Sequence, residues 1–124
     1  MIPSINAGSS KAAVIARLTK FPSELNNASK KLRADIDVVK ISVEKDGSMI
    51  RYASKELRND VELAKIAVSN NGMALQHCLK EPLLNKEVLV LAITQNVKAI
   101  KYITDITQPL LRLALELNAE DVMH

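Results

Sequence analysis

LRNDVELAKIAVSNNGMALQHCLKE, residues Leu57–Glu81, follows directly on LRADIDVVKISVEKDGSMIRYASKE, residues Leu32–Glu56, and the two agree at nine of 25 positions. Unrelated segments of this length agree at roughly one or two, so this is an internal repeat, and its period takes precedence over any local pattern. A degenerate earlier copy extends it. ASKKLRAD (Ala28–Asp35) matches ASKELRND (Ala53–Asp60) at six of eight positions with the same offset of 25, so the array begins near residue 12.

Each unit reads as a pair of helices. Asp35, Asp60 and Asn85 fall at equivalent positions, and all three residue types accept a hydrogen bond from a helix's first free N–H groups. Asp37, Glu62 and Glu87 follow two residues later, where the helix dipole favours a carboxylate. Val38, Val39, Ile41 and Val43 supply the apolar face of one copy; Leu63, Ala64, Ile66 and Val68 supply it in the next. Gly47 and Gly72 are expected to stop these helices in a left-handed conformation. The third copy has Val97 there, with Asn96 taking over the stop. A short second helix carries Ile50, Ala53 and Leu57, then Leu75, Cys78 and Leu79, then Ile100 and Ile103. Neither helix is long enough to be stable alone, so the units must stack to bury their faces. VLVLAI (Val88–Ile93) has the composition of a buried strand, but its alignment with Leu63–Val68 and the Asn85 cap decide for helix, expected to be the most enclosed.

The predicted fold is all-α, a solenoid-like stack with units at about 12–34, 35–59, 60–84 and 85–106. Residues 1–8 read as a loose arm broken by Pro3, Asn6 and Gly8. Ser9 or Ser10 caps a first helix to about Lys20, and Pro22 suits the first turn of the next. A C-terminal amphipathic helix is expected over 107–118, where Leu110, Leu113, Ala114 and Leu117 form a stripe and Leu111 and Leu115 lie elsewhere. That apolar surplus is expected either to contact a second copy, as in a homodimer, or to be covered by the helix folding back across the stack.

Composition sets bounds on function. The 124 residues make a single domain with 48% hydrophobic and 25% charged residues, ordinary globular usage. Net charge is +3 but uneven. Residues 1–58 carry 11 Lys/Arg against six Asp/Glu, and residues 59–124 carry six against eight, an asymmetry that either steers an acidic partner toward the first half or serves solubility alone. One cysteine, Cys78, permits no internal disulfide and fits a reducing, cytoplasmic compartment. MIPSINAGSS has no apolar core of a secretion signal, and no run is long enough to span a membrane.

The pattern D-x-E/D, then apolar positions, A/S-V-x-x-x-G-x-x-L/I-x-Y/H-A/C, covers about residues 35–103 and resembles the helical repeat called domain of unknown function 4116. The third unit, without Gly, departs from it. This resemblance implies a stacked helical fold of a kind common in bacterial effector proteins, with no assigned chemistry. In size and repeat type the chain is also similar to a small Legionella inhibitor of paired ubiquitin-deamidating effectors. That likeness implies a ubiquitin-modifying enzyme as partner and possible translocation into a host cell.

The residues offer little for catalysis. His77 and Cys78 are neighbours pointing about 100° apart on a helix, which precludes a dyad. Cys78 aligns with Ala53 and Ile103, as a core residue would. No metal-ligand spacing or phosphate loop occurs, so no cofactor, metal or enzymatic activity is expected. The basic residues are more informative. Lys30, Lys55 and Lys80 share one position, Arg33 and Arg58 another, and Arg51 lies nearby, so stacking should align them into rows. Tyr52, His77 and Tyr102 share a third position, apolar in body and polar at the tip. These nine residues are the candidate partner-binding surface. The expected function is a non-catalytic module that binds and inhibits an enzyme by occlusion. The alternative is nucleic-acid binding through the Lys/Arg row, opposed by Glu56 and Glu81 beside it.

Overall fold

Four ten-residue α-helices recur at the 25-residue spacing: α1 (Lys11–Lys20), α3 (Ile36–Lys45), α5 (Val61–Asn70) and α7 (Lys86–Gln95). They belong to a computed structural model that describes residues 5, 6, 8–103, 112 and 116. Ser10, Asp35, Asp60 and Asn85 cap them, each side chain accepting from an N–H two or three residues on. The caps matter because a ten-residue helix leaves a large share of its N–H groups without intrahelical acceptors.

The second part of each unit differs from the expected α-helix. It is a 3₁₀ helix of six residues, at Pro22–Asn27, Gly47–Tyr52, Gly72–His77 and Val97–Tyr102. A short α-helical turn follows in three units: α2 (Lys30–Arg33), α4 (Lys55–Arg58) and α6 (Lys80–Leu84). A unit is thus three pieces rather than a helix pair. Leu57 and Leu79 lie beyond the 3₁₀ helices and are only half-buried.

The glycine expectation is also corrected. No glycine among the described residues has a positive φ. The long helices end instead on Asp46, Asn71 and Asn96, extended at φ −147°, −147° and −154°. Each also caps the 3₁₀ helix that follows, accepting at 3.0 Å from the N–H two residues on. Asn96 therefore does what its counterparts do and compensates for no missing glycine. Gly47 and Gly72 are required for close approach: a Cβ on either would run into the backbone carbonyl of Ala67 or Ala92, in the next unit's long helix. Their N–H groups donate to side chains there, Gly47 to Asn70 Oδ1 at 2.7 Å and Gly72 to Gln95 Oε1. Pro22, at the same position, has no N–H to satisfy, and Lys45 stands where Asn70 and Gln95 accept. That junction is bridged by the buried Ser42 hydroxyl donating to Pro22 O.

Stacking produces two layers. α1 packs on α3, α3 on α5 and α5 on α7, while each 3₁₀ helix packs on the next. Each long helix after α1 buries the same four positions, for example Val38, Val39, Ser42 and Val43 in α3, or Val88, Leu89, Ala92 and Ile93 in α7. Ile41 and Ile66, expected on that face, are half-buried, and Ser42 and Ala67 take the enclosed place. Val90 and Leu91 are half-buried too, so α7 is not more enclosed than α5. Burial of each Val, Leu or Ile contributes about 1.5–3 kcal/mol against the entropy of ordering, and this aliphatic seam is continuous through the stack.

Of the supposed loose arm, Ile5 is buried and Asn6 and Ser9 close a turn, Ser9 N donating to Asn6 O at 3.0 Å. The C-terminal helix over 107–118, with its homodimer contact, lies outside the described residues except for Arg112 and Glu116, which are helical and exposed. Among the described residues no strand occurs and no helix is long and apolar enough to cross a membrane.

Candidate functional site

The repeated octapeptides ASKKLRAD and ASKELRND build α2 and α4. Ser29 and Ser54 cap these turns, each hydroxyl accepting at 3.3 Å from the N–H of Leu32 or Leu57. Arg33 O accepts from Ser54 N at 3.0 Å, which ties the end of α2 to the start of α4. The two copies are thereby laid side by side. Between them is a cavity of about 400 Å³ lined by Lys30, Arg33, Tyr52, Ser54, Lys55 and Arg58 together with the buried Ala53.

Five of the nine sequence-predicted residues thus share one concave surface: Lys30, Arg33, Tyr52, Lys55 and Arg58. Arg51, His77, Lys80 and Tyr102 do not line it. Arg51 is exposed with its guanidinium carbon 4.6 Å from the centre of the Tyr52 ring, a cation–π contact that backs the cavity's aromatic wall. Lys101 covers Tyr102 in the same way at 5.2 Å. Lys80 is exposed on α6. Lys80 continues the lysine row into this unit, while Leu83 stands where Arg33 and Arg58 stand, so the arginine pair is confined to the two preceding units. Ser54 and Ala53 were not among the predicted residues, although both lie in the duplicated octapeptide that carries the signal.

Four cations elsewhere among the described residues are paired with carboxylates. Lys11 Nζ lies 2.9 Å from Asp35 Oδ2 and 3.5 Å from Asp37 Oδ2, and Lys65 Nζ lies 3.2 Å from Glu62 Oε1 and 2.9 Å from Glu87 Oε2. Arg17 meets Glu24 at 2.6 Å and Lys40 meets Glu44 at 4.0 Å. The hydrogen bond from Lys11 lowers the Asp35 carboxyl, that from Arg17 lowers Glu24, and the bond to Glu87 raises Lys65. By contrast, no ion pair joins Lys30, Arg33, Lys55 or Arg58 to a carboxylate among the described residues. Arg33 Nε–H donates to Ala28 O at 3.1 Å, while Arg58 Nε is buried and without a partner.

Burial pushes the Cys78 thiol up to about 12 against an opposing pull from Arg58, and Sγ lies 3.7 Å from Ala74 O. A thiol so placed stays protonated at neutral pH and behaves as a small apolar residue. His77 is lowered, first by burial and then by Arg51 and Arg58, and is therefore neutral at pH 7. No group of three His, Cys, Asp or Glu among the described residues is arranged to hold a metal ion. What this surface offers chemically is positive charge and hydrogen-bond donors.

The family model described as Domain of unknown function (DUF4116) matches three overlapping stretches, residues 14–58, 35–83 and 60–108. No curated protein and no solved structure matches the chain. The offset of about 25 between successive matches is the period by which the helices, their caps and the glycine joints recur. With these matches tiling residues 14–108, the chain belongs to the family described as Domain of unknown function (DUF4116).

Proposed function

We propose that the protein is a non-catalytic binding module that engages an acidic protein surface through the face centred on Arg33 and Arg58. The observation that carries this reading is the convergence of Lys30, Arg33, Lys55 and Arg58 on one cavity with no carboxylate paired to any of them among the described residues. Clustered like charges in a concave surface raise the local potential, steer acidic partners and favour the bound state over the free one. Arg51, Tyr52 and the neutral His77 extend the same edge with aromatic and amphipathic surface suited to an interface.

The partner in this proposal is an enzyme, inhibited by occlusion of its active site or substrate surface by a preformed helical face. Its class, a ubiquitin-modifying effector, rests on the resemblance to the small Legionella inhibitor in size and repeat type. The proposed setting is a bacterial cytoplasm or, after translocation, a host cell. The test is affinity capture from a bacterial lysate with the wild type and with Lys30→Glu/Lys55→Glu, followed by an activity assay on whatever enzyme is retained. A stoichiometric partner whose activity falls on binding, and which the double variant fails to retain, supports the reading. No stoichiometric partner in mild salt, or a retained enzyme that is unaffected, ends it. A nucleic-acid gel shift that weakens steeply with salt would replace it with the row-of-cations alternative.

A further inference from the structure

The cavity between α2 and α4 is small for a protein interface and lies within the range of small-ligand pockets, at about 400 Å³. Its charge is out of proportion to that volume, with two guanidinium and two ammonium groups among seven lining residues. The donors are also largely unspent. Arg33 uses Nε–H on Ala28 O, which holds the guanidinium in place, and no described protein group accepts from its Nη atoms. Arg58, one repeat later, lacks even that anchor, since its Nε has no partner. The Ser54 hydroxyl accepts from Leu57 N, which leaves its own O–H as a further donor beside them.

A second junction in the same molecule serves as an internal comparison. Shifted by 25 residues, Arg58 is replaced by Leu83, Ser54 by Leu79 and Tyr52 by His77. The stack therefore does not require two arginines and a serine at this place, and the first junction alone carries them. A carboxylate offers two oxygens and a single charge. A phosphoryl monoester carries about −1.5 to −2 and three acceptor oxygens, and guanidinium forks match it bidentately. That is the anion whose charge and acceptor number fit two arginines flanked by two lysines.

We propose that this cavity recognises the phosphoryl group of a monoester, with Arg33 and Arg58 forked onto its oxygens and Lys30 and Lys55 balancing its charge. This deepens the binding-module reading, because the cavity is the centre of the face that reading uses. A phosphorylated side chain of the partner and a free nucleoside monophosphate present the same group, and the experiment separates them.

The full-length protein is titrated with O-phosphotyrosine, O-phosphoserine, adenosine monophosphate and citrate at physiological salt, followed by calorimetry and by amide shifts of Ser54, Lys55 and Arg58. The expected result is saturable one-to-one binding of the phosphomonoesters. Arg33→Gln and Arg58→Gln each weaken it by about ten- to a hundredfold, and Lys98→Gln leaves it unchanged. A preference for the phosphoamino acids assigns the group to a phosphorylated side chain, and a preference for the nucleotide assigns it to a free metabolite; either supports the site. If Arg33→Gln fails to fold by circular dichroism, Lys55→Gln, at an exposed position, must still weaken binding several-fold. Absence of saturable binding, equal affinity in Arg58→Gln, or binding of citrate as tight as that of the monoesters overturns the proposal. A captured partner enzyme that phosphotyrosine and the nucleotide fail to displace also overturns it and leaves the binding-module reading standing. Monoester binding without any protein partner does the reverse.

Discussion

Lys11 and Lys65 sit between carboxylates, and Lys30, Lys55, Arg33 and Arg58 do not, although all six belong to the same repeating stack. The difference follows from what each end of a unit requires. The long helices need acceptors and negative charge at their N-termini, so Asp35, Asp37, Glu62 and Glu87 gather there and capture the lysines that pass nearby. The short turns α2 and α4 are capped by the neutral Ser29 and Ser54, and no carboxylate among the described residues pairs with Lys30, Arg33, Lys55 or Arg58 beside them. Capping chemistry thus divides one basic protein into a neutralised edge and an available one. The lesson is that a count of lysines says little about binding until the caps are located.

The severest way to break this contrast is to separate the units, since both edges exist only where neighbours meet. Gly72→Ala pushes a methyl group into the Ala92 carbonyl and is expected to destabilise the fold by about 3 kcal/mol or more, read as a lower urea midpoint. Charge reversal distinguishes the two edges more directly. Lys55→Glu is expected to weaken capture of the acidic partner by at least about tenfold with little change in Tm, whereas Lys65→Glu spares capture and lowers Tm, because the new carboxylate faces Glu62 and Glu87.

Smaller effects come from titration. The Cys78 thiol, held near 12 by burial, ionises more readily in the unfolded chain, so its contribution to stability is complete below the ordinary thiol range and is lost as pH rises toward 12. Denaturation between pH 8 and 11 should therefore show a slope that Cys78→Ala reduces, and a thiol reagent should react only after unfolding. At the acid end the sign is opposite. Asp35 and Glu24 are lowered by Lys11 and Arg17, so the stability they supply is present above the usual carboxylate range and fades as pH falls through their depressed values. Exposure keeps this effect small. Lys11→Met should flatten the acid limb of the stability curve, and Lys55→Met should leave it unchanged.

The 25-residue period, the caps Asp35, Asp60 and Asn85, and the duplicated octapeptide were all legible in the chain itself, because each is a local regularity that stacking merely repeats. So was the cavity's cationic lining, through Lys30, Arg33, Lys55 and Arg58. Other features depended on distant partners. Gly47 and Gly72 proved necessary for the approach of a carbonyl 20 residues further on, which no local conformational rule anticipates. The 3₁₀ form of the second helices went unseen because Ile50 and Ala53, three apart, satisfy either helical period. Which cations remain unpaired was decided by tertiary structure alone. Lys11 reaches Asp35 and Lys65 reaches Glu87 across more than 20 residues, and an ion pair forms or fails over a few ångströms set by how one unit settles on the next.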